Sequence, residues 1–125
     1  MKLHADTRSG QNSVTAYGPG FVTVSGQRHE RSLVLTPHLI EPDWPVADVA
    51  EIQPGMLAAL RRHNCDLWLI GTGMKQTFPH PSILAPLLEA RIGVEIMDTA
   101  AACRTFNILA AEGRNVGAAL IIAGQ

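Results

Sequence analysis

The alternation of apolar and polar positions is most regular in the last third of the chain. An apolar run at residues 94–97 stops at Asp98 and Thr99, and the next dozen residues are rich in Ala and Leu and contain no Gly or Pro. Gly113, which can adopt the left-handed conformation that ends a helix, precedes a second apolar run at residues 116–122. This pattern predicts a strand, a capped helix and a strand buried on both faces, the succession of a βαβ unit.

The middle of the chain has the same rhythm. Residues 66–70 are predicted as a strand that is apolar throughout after Asp66 and ends at Gly71-Thr72-Gly73. Residues 81–91 have the composition of a helix with Pro81 in its first turn. Gly93 is predicted to end that helix before the next strand. Three apolar strands separated by two helices predict right-handed crossovers and a parallel core.

The first part of the chain predicts antiparallel structure. Apolar residues alternate on both sides of a Gly-Pro-Gly turn within residues 13–25, which is typical of a hairpin. A polar turn at residues 26–30 then leads to a short strand at residues 32–35. We expect this small antiparallel meander to add strands at an edge of the parallel sheet or to form a second small sheet, and Leu3 could pair onto a sheet edge.

An irregular segment is predicted between these two halves. Four prolines between Pro37 and Pro54 exclude a central strand, because proline cannot donate to the ladder. Trp44 is predicted to anchor the segment in the core, with short helical turns at residues 46–52. Residues 56–63 have the composition and the C-terminal positive charge of a helix.

Composition limits the classes of function. The chain has 125 residues, 46% of them hydrophobic, so one domain of residues 1–125 can bury a sizeable core. Ten Lys and Arg against 11 Asp and Glu give a net charge of −1, which indicates no broad surface for nucleic acid or anionic membranes. No apolar segment has membrane-spanning length, and the N-terminal residues resemble neither a signal peptide nor a transit peptide. We therefore expect a cytoplasmic protein without membrane insertion, with Cys65 and Cys103 as reduced core thiols.

The Gly-Thr-Gly turn is the first candidate for a binding function. A dinucleotide fingerprint would need a third glycine at position 76, which is Gln76, and no Gly-Lys-Ser/Thr follows. The turn is either purely structural, because glycine permits the backbone angles, or its amides line a ligand crevice with Lys75 as a partner.

Asp98 and Thr99 are the second candidate. Capping of the following helix explains both residues, and an Asp carboxylate there occupies the place where a bound anion would gain from the helix dipole. Thr99 as the only cap would free Asp98 to act as an acid, base or metal ligand, but no second carboxylate or His lies at ligand spacing. The five histidines are also scattered without paired spacing, so we expect no metal, no cofactor and no catalytic constellation.

Helical spacing divides the residues after Thr99 into two sets. One side is predicted to pack on the sheet and carries Ala102, Cys103, Phe106, Leu109 and Ala110. The polar residues are either structural or frame a patch for a partner or ligand, and they are Arg104, Thr105, Asn107, Glu112 and Arg114.

Residues 67–73, 97–109 and 112–114 together resemble the small-domain family that contains the mitochondrial complex I assembly factor 3 and many uncharacterised bacterial and archaeal proteins. The resemblance implies a three-layer α/β fold: a central mixed, mostly parallel sheet with helices on its faces and an extra antiparallel β layer from the N-terminal half. It also implies that mitochondrial relatives help to assemble respiratory complex I by binding other proteins, while the bacterial members have no established reaction. We expect this chain to lack the targeting presequence of the mitochondrial members. The motif positions are Gly71, Gly73, Asp98, Thr99, Arg104, Thr105, Asn107, Glu112 and Arg114.

Two hypotheses follow, and the first is favoured. The chain is a non-catalytic module that binds a protein partner and acts as a monomer or homodimer. Alternatively it is a small-ligand-binding protein or enzyme that uses a crevice between residues 71–75 and 98–104, where parallel strands end. The predicted crevice comprises Gly71, Thr72, Gly73, Lys75, Asp98, Thr99, Arg104, Thr105, Asn107, Glu112 and Arg114.

Overall fold

The computed structural model describes residues 10–123, and the predicted pairing of Leu3 lies outside them. The described chain is a mixed α/β structure with two sheets and three α-helices. Its strands are β1 (Val14–Gly18), β2 (Phe21–Val24), β3 (Gln27–His29), β4 (Leu33–Leu35), β5 (Ile40–Glu41), β6 (Leu67–Gly71), β7 (Gly93–Met97) and β8 (Val116–Leu120). Its α-helices are α1 (Pro54–Leu60), α2 (Pro81–Glu89) and α3 (Thr99–Ala111), and short 3-10 turns span Val49–Glu51 and Arg61–His63.

The larger sheet has the strand order β5-β4-β8-β6-β7. β6 pairs parallel with both β7 and β8, which confirms the parallel core predicted from the three apolar runs. β4 pairs antiparallel with β8 and with β5, so the sheet is mixed rather than mostly parallel. The physical reason is that β4 and β5 join this sheet from the N-terminal half.

The predicted three-strand meander is only partly correct. β1, β2 and β3 form the small antiparallel sheet, and β3 lies in the residues predicted as a polar turn. The predicted third strand is β4, which pairs with β8 instead. Leu33, Val34 and Leu35 are all buried, and a strand that is apolar on both faces needs a sheet covered on both sides.

Alternate residues along the central strands face two separate hydrophobic clusters. Leu69 packs with the small sheet and with Phe106 of α3, whereas Trp68 and Ile70 pack with residues of α1 and α2. Trp44 is half-buried against the second cluster, as predicted for an anchor of the irregular segment. The large sheet is therefore covered by different elements on its two faces.

Two glycines were predicted to end helices, and the structure confirms this role for one of them. Gly113 has a φ of 81° after α3, as predicted, but Gly93 is the first residue of β7 rather than a terminator. Arg91 adopts a φ of 61° after α2 instead. A non-glycine residue in this conformation is uncommon, and sequence spacing alone favoured the glycine. None of the helices in the described part of the chain combines the length and the apolar character needed to cross a bilayer.

Candidate functional site

The Gly-Thr-Gly turn after β6 and the start of α3 are joined at one edge of the large sheet. The backbone amide of Thr99 donates to the carbonyl of Gly73 at 2.9 Å, and the amide of Gly73 donates to Thr99 Oγ1 at 2.8 Å. The Thr99 hydroxyl in turn donates to the carbonyl of Ile121, just after β8, at 2.7 Å. One side chain thus connects the ends of two parallel strands with the first turn of α3, and the two predicted segments are neighbours.

Gly71 and Gly73 of this turn are each required to be glycine for a different structural reason. A Cβ on Gly71 would lie 3.0 Å from both Cα and Oγ1 of Thr99, so glycine allows α3 to approach the end of β6. Gly73 has a φ of 93°, a conformation that side chains disfavour. Thr72 is buried, and its hydroxyl donates to the carbonyl of Lys75 at 2.5 Å while accepting from the amide of Thr77 at 3.1 Å.

Asp98 is the N-cap of α3. Its Oδ1 accepts from the amide of Ala101 at 2.8 Å, as predicted for a cap, so the alternative in which Thr99 caps alone is wrong. The carboxylate already accepts from one amide of the first turn and lies at the positive end of the helix dipole. A bound anion at this helix start would have to compete with it.

A cavity of about 250 Å³ opens where the turn, the start of α3 and the β1–β2 hairpin meet. We call it the rim cavity, and it is lined by Tyr17, Gly18, Pro19, Phe21, Gly73, Met74, Asp98, Thr99 and Ala100. Sequence reasoning assigned Gly73, Asp98 and Thr99 to this place but missed the hairpin residues. The available signal was Tyr17-Gly18, which ends β1 where the Gly-Pro-Gly turn of the predicted hairpin begins.

Arg104 supports the rim cavity from outside its lining. Its Nη1 donates to the hydroxyl oxygen of Tyr17 at 2.7 Å, and its guanidinium carbon lies 5.9 Å from the centre of the Tyr17 ring. This hydrogen bond raises the pKa of Arg104 above its ordinary value, so the side chain stays charged. Arg104 therefore orients Tyr17, a wall of the cavity that lies 87 residues earlier in the sequence.

Asn107 joins α3 to the edge of β1. Its Oδ1 accepts from the amide of Val14 and its Nδ2 donates to the carbonyl of Val14, both at 2.8 Å. This pair of bonds reproduces what a neighbouring strand would offer the exposed edge. Asn107 is thus a structural contact that holds the hairpin beside the rim cavity.

Other predicted site residues lie away from the rim cavity. Glu112 and Arg114 follow the far end of α3, where Arg114 lines a separate pocket of about 300 Å³ with His38 and His63. Lys75 is exposed, and neither it nor Thr105 lines the rim cavity. The structure therefore divides the predicted crevice between two ends of the molecule.

The two cysteines are buried thiols, and the metal-ligating residue types form no metal-holding group in the described part of the chain. Burial raises the pKa of the Cys65 thiol to about 11 and that of the Cys103 thiol to about 12. Both thiols are free, as predicted, and are protonated at neutral pH, which makes them poor nucleophiles. Within residues 10–123, no three His, Cys, Asp or Glu side chains are arranged to hold a metal ion.

The loop after β6 exposes two large apolar side chains, one of which lies at the rim cavity. Met74, which lines the cavity, and Phe78 are each 68% exposed. Methionine and aromatic residues are enriched at the cores of protein interfaces, whereas an exposed apolar side chain gains nothing from water. This edge of the sheet therefore combines a cavity with an apolar surface.

Comparison with known proteins identifies relatives over most of the chain. The chain is 34% identical over 110 residues to the mouse (Mus musculus) NADH dehydrogenase (ubiquinone) 1 alpha subcomplex assembly factor 3, a match that covers 86% of this chain and 59% of the mouse protein. The chain thus spans about three-fifths of that relative's length. It is 38% identical to an uncharacterised protein of Rhodobacter capsulatus, covering 90% of this chain and 86% of that protein.

The fold is shared with a solved structure. A Bordetella pertussis protein described as a Mth938-like domain is 35% identical, with a TM-score of 0.82, and the match covers 100% of this chain and 94% of the other. The family model described as "Protein of unknown function (DUF498/DUF598)" matches residues 14–121. The resemblance predicted from the sequence motifs is confirmed, and the chain belongs to this DUF498/DUF598 family, which includes assembly factor 3 and uncharacterised bacterial proteins.

Proposed function

We propose that this chain is a non-catalytic, assembly-type module that binds a protein partner. The observation that carries the proposal is the 34% identity to a mouse protein named as an assembly factor of NADH dehydrogenase. The low reactivity of the two buried thiols is consistent with a role in binding rather than in nucleophilic catalysis.

The contact surface that we propose is the edge of the sheet around the rim cavity. Met74 and Phe78 supply exposed apolar area there, and the Thr99 hydrogen bonds fix the loop from which they project. The proposal takes the fold as three layers, which is supported by the different elements that pack on the two faces of the large sheet. In this arrangement α3 and the hairpin present their shared edge to the partner.

Affinity capture from the organism that makes the protein tests this surface. The tagged chain is compared with Met74→Glu and with Leu88→Glu, a matched control because Leu88 is also more than half exposed but lies on α2. We expect the Leu88→Glu variant to retain the same co-purifying proteins as the wild type and Met74→Glu to lose them, since a charge in an apolar contact is costly. Bare protein in every sample, or identical partners in both variants, would count against the proposal.

A second candidate function is small-ligand binding in the rim cavity. It is favoured by the position of the cavity, since the loops after β6 and β7 lead to helices that pack with different clusters, as at the switch point of open α/β sheets. The cavity of about 250 Å³ is smaller than the ~300–1,000 Å³ usual for drug-sized ligands. A thermal-shift screen with metabolites discriminates, because stabilisation that disappears in Arg104→Ala would favour a ligand over a protein partner.

A further inference from the structure

We propose that the rim cavity is an anchor pocket for one apolar side chain of a protein partner, flanked in that partner by a cationic residue. This inference rests on the proposed protein-binding function and names the chemistry of the partner. It follows from the size of the cavity, the rigidity of its walls and the charge of its lining.

The volume of the rim cavity suits a single anchoring side chain better than a whole cofactor. Interface anchors insert a single large side chain into a well-packed pocket and carry most of the binding energy. The rim cavity, at about 250 Å³, is below the ~300–1,000 Å³ typical of sites that enclose whole ligands. One aromatic, leucine or methionine side chain fits such a space, whereas a dinucleotide does not.

The aromatic walls are held in place from outside the cavity. Arg104 donates to the hydroxyl of Tyr17, and the guanidinium carbon of Arg28 lies 4.0 Å from the centre of the Phe21 ring. Arg28 also forms an ion pair with Glu30 at 2.9 Å, in which both side chains are more than half exposed. Walls that are already ordered reduce the entropy lost on binding, which favours a preformed pocket over an induced one.

The charge of the lining indicates the flanking residue. Among the described residues that line the cavity, Asp98 is the only charged one, and only its Oδ1 is used for the helix cap described above. The guanidinium groups of Arg104 and Arg28 lie behind the Tyr17 and Phe21 walls and do not line the cavity. The remaining lining offers aromatic faces, a proline, a methionine and small residues. A partner segment with Lys or Arg next to its apolar anchor complements this site, and one with Asp or Glu there opposes it.

Titration of the ¹⁵N-labelled chain with defined capped peptides tests both parts of the inference. The probes are N-acetyl-Phe-Lys-amide, N-acetyl-Phe-Glu-amide and N-acetyl-Gly-Lys-amide at millimolar concentration and low salt. We expect saturable shifts at the amides of Gly18, Gly73 and Ala100 with the first probe. The Glu probe should bind about two- to fivefold more weakly, as for an exposed ion pair, and the Gly probe should not saturate.

A substitution that fills the cavity tests the site, and the same substitution at an exposed position of α3 is its matched control. Ala100→Leu adds bulk to the cavity lining, whereas Ala111→Leu makes the same change at the exposed end of α3. We expect Ala100→Leu to weaken the Phe-Lys probe by at least about tenfold, equivalent to ~1.4 kcal/mol, and Ala111→Leu to bind as the wild type does. If Ala100→Leu does not fold, Met74→Ala replaces it and should weaken binding without abolishing it.

The outcomes separate this inference from the proposed function. No saturable shift with either Phe probe, or shifts unchanged in both the Ala100→Leu and Met74→Ala variants, would overturn the anchor pocket. A partner captured in a Met74-dependent manner would leave the protein-binding function standing even then. Equal binding of the Lys and Glu probes would overturn the cationic flank.

Discussion

At the scale of single residues, several polar side chains of α3 form hydrogen bonds to segments that are distant in sequence. Thr99, Arg104 and Asn107 each bond to a segment far away in sequence, namely the loop after β6, Tyr17 and Val14. A residue of this kind stabilises the fold and also shapes the rim cavity. We therefore expect substitutions of these residues to lower the stability of the fold, and to weaken binding only because the rim cavity loses its shape.

Asn107→Ala should destabilise the protein by about 1–3 kcal/mol, because the amide and the carbonyl of Val14 both lose a part-buried partner. Urea denaturation followed by circular dichroism measures the change. Ile108→Ala is the control, since Ile108 lies in the same helix and is 59% exposed, and it should stay within about 0.5 kcal/mol of the wild type. Equal effects of the two substitutions would show that the Val14 contact contributes nothing.

Substitution by alanine is expected to change stability in opposite directions at Gly117 and at Gly55. A Cβ on Gly117 would lie 2.5 Å from the buried Trp68 ring, so Gly117→Ala should destabilise by about 1–3 kcal/mol through overpacking. Gly55 lies in α1 with no atom within 4 Å of such a Cβ, so Gly55→Ala should stabilise by about 0.5–1 kcal/mol. Urea midpoints of the two variants that moved in the same direction would contradict this account.

At the scale of elements, the Thr99 hydroxyl couples α3 to the ends of β6 and β8. Thr99→Val keeps the shape but leaves the amide of Gly73 and the carbonyl of Ile121 without this partner. We expect a loss of about 1–3 kcal/mol in stability and faster amide hydrogen exchange at Gly73. Thr105→Val, the same change further along α3, should leave the exchange of Gly73 unchanged.

The contact between β5 and the turn after α1 predicts a dependence on pH. Arg62 Nη2 lies 2.6 Å from both oxygens of Glu41. This hydrogen bond is the largest cause of a lowered Glu41 pKa, and it outweighs burial, which raises the pKa, with a smaller lowering contribution from the hydrogen bond of His63. A lowered folded-state pKa stabilises the protein above the ordinary glutamate pKa, and this contribution is lost as pH falls through the lowered value.

Urea titrations of the wild type and Glu41→Gln at a series of pH values check this dependence. The wild type should be more stable at neutral pH by less than about 1 kcal/mol, since both side chains are more than one-third exposed, and the difference should vanish in acid. A difference that grows as the pH falls would contradict the sign.

The parallel core could be predicted because its evidence is local. β6 and β8 are apolar along their whole length, and each strand of the β6–β7–β8 core is followed or preceded by a clear helix. The membership of β4 could not, since Leu33 pairs with Leu120 from the other end of the chain. Three apolar residues predict a strand but do not specify its neighbour.

The same distinction holds for the candidate site. Gly73, Asp98 and Thr99 were predictable as neighbours, because the carboxyl ends of adjacent parallel strands meet at one edge. The contribution of the hairpin depends on contacts such as that between Val14 and Asn107, which are 93 residues apart. No pattern within β1 indicates that contact. The assignment of this site to a function stays a prediction.

At the scale of the whole molecule, the chain has two ends with different character. The end with the rim cavity carries exposed Met74 and Phe78, whereas the opposite end carries Arg114, His38 and His63 around a polar pocket. The single-domain organisation, the cytoplasmic location and the choice between monomer and homodimer stay predictions. We propose that partners contact the end with the rim cavity.

Site-specific photo-crosslinking in the native organism tests that claim most directly. The photoreactive residue p-benzoyl-phenylalanine replaces either Met74, at the rim cavity, or Leu88, on α2, both of which are more than half exposed. We expect defined crosslinked protein adducts from position 74 that are absent from position 88. Adducts from position 88 alone, or none from position 74 under conditions where the partner co-purifies, would contradict that claim.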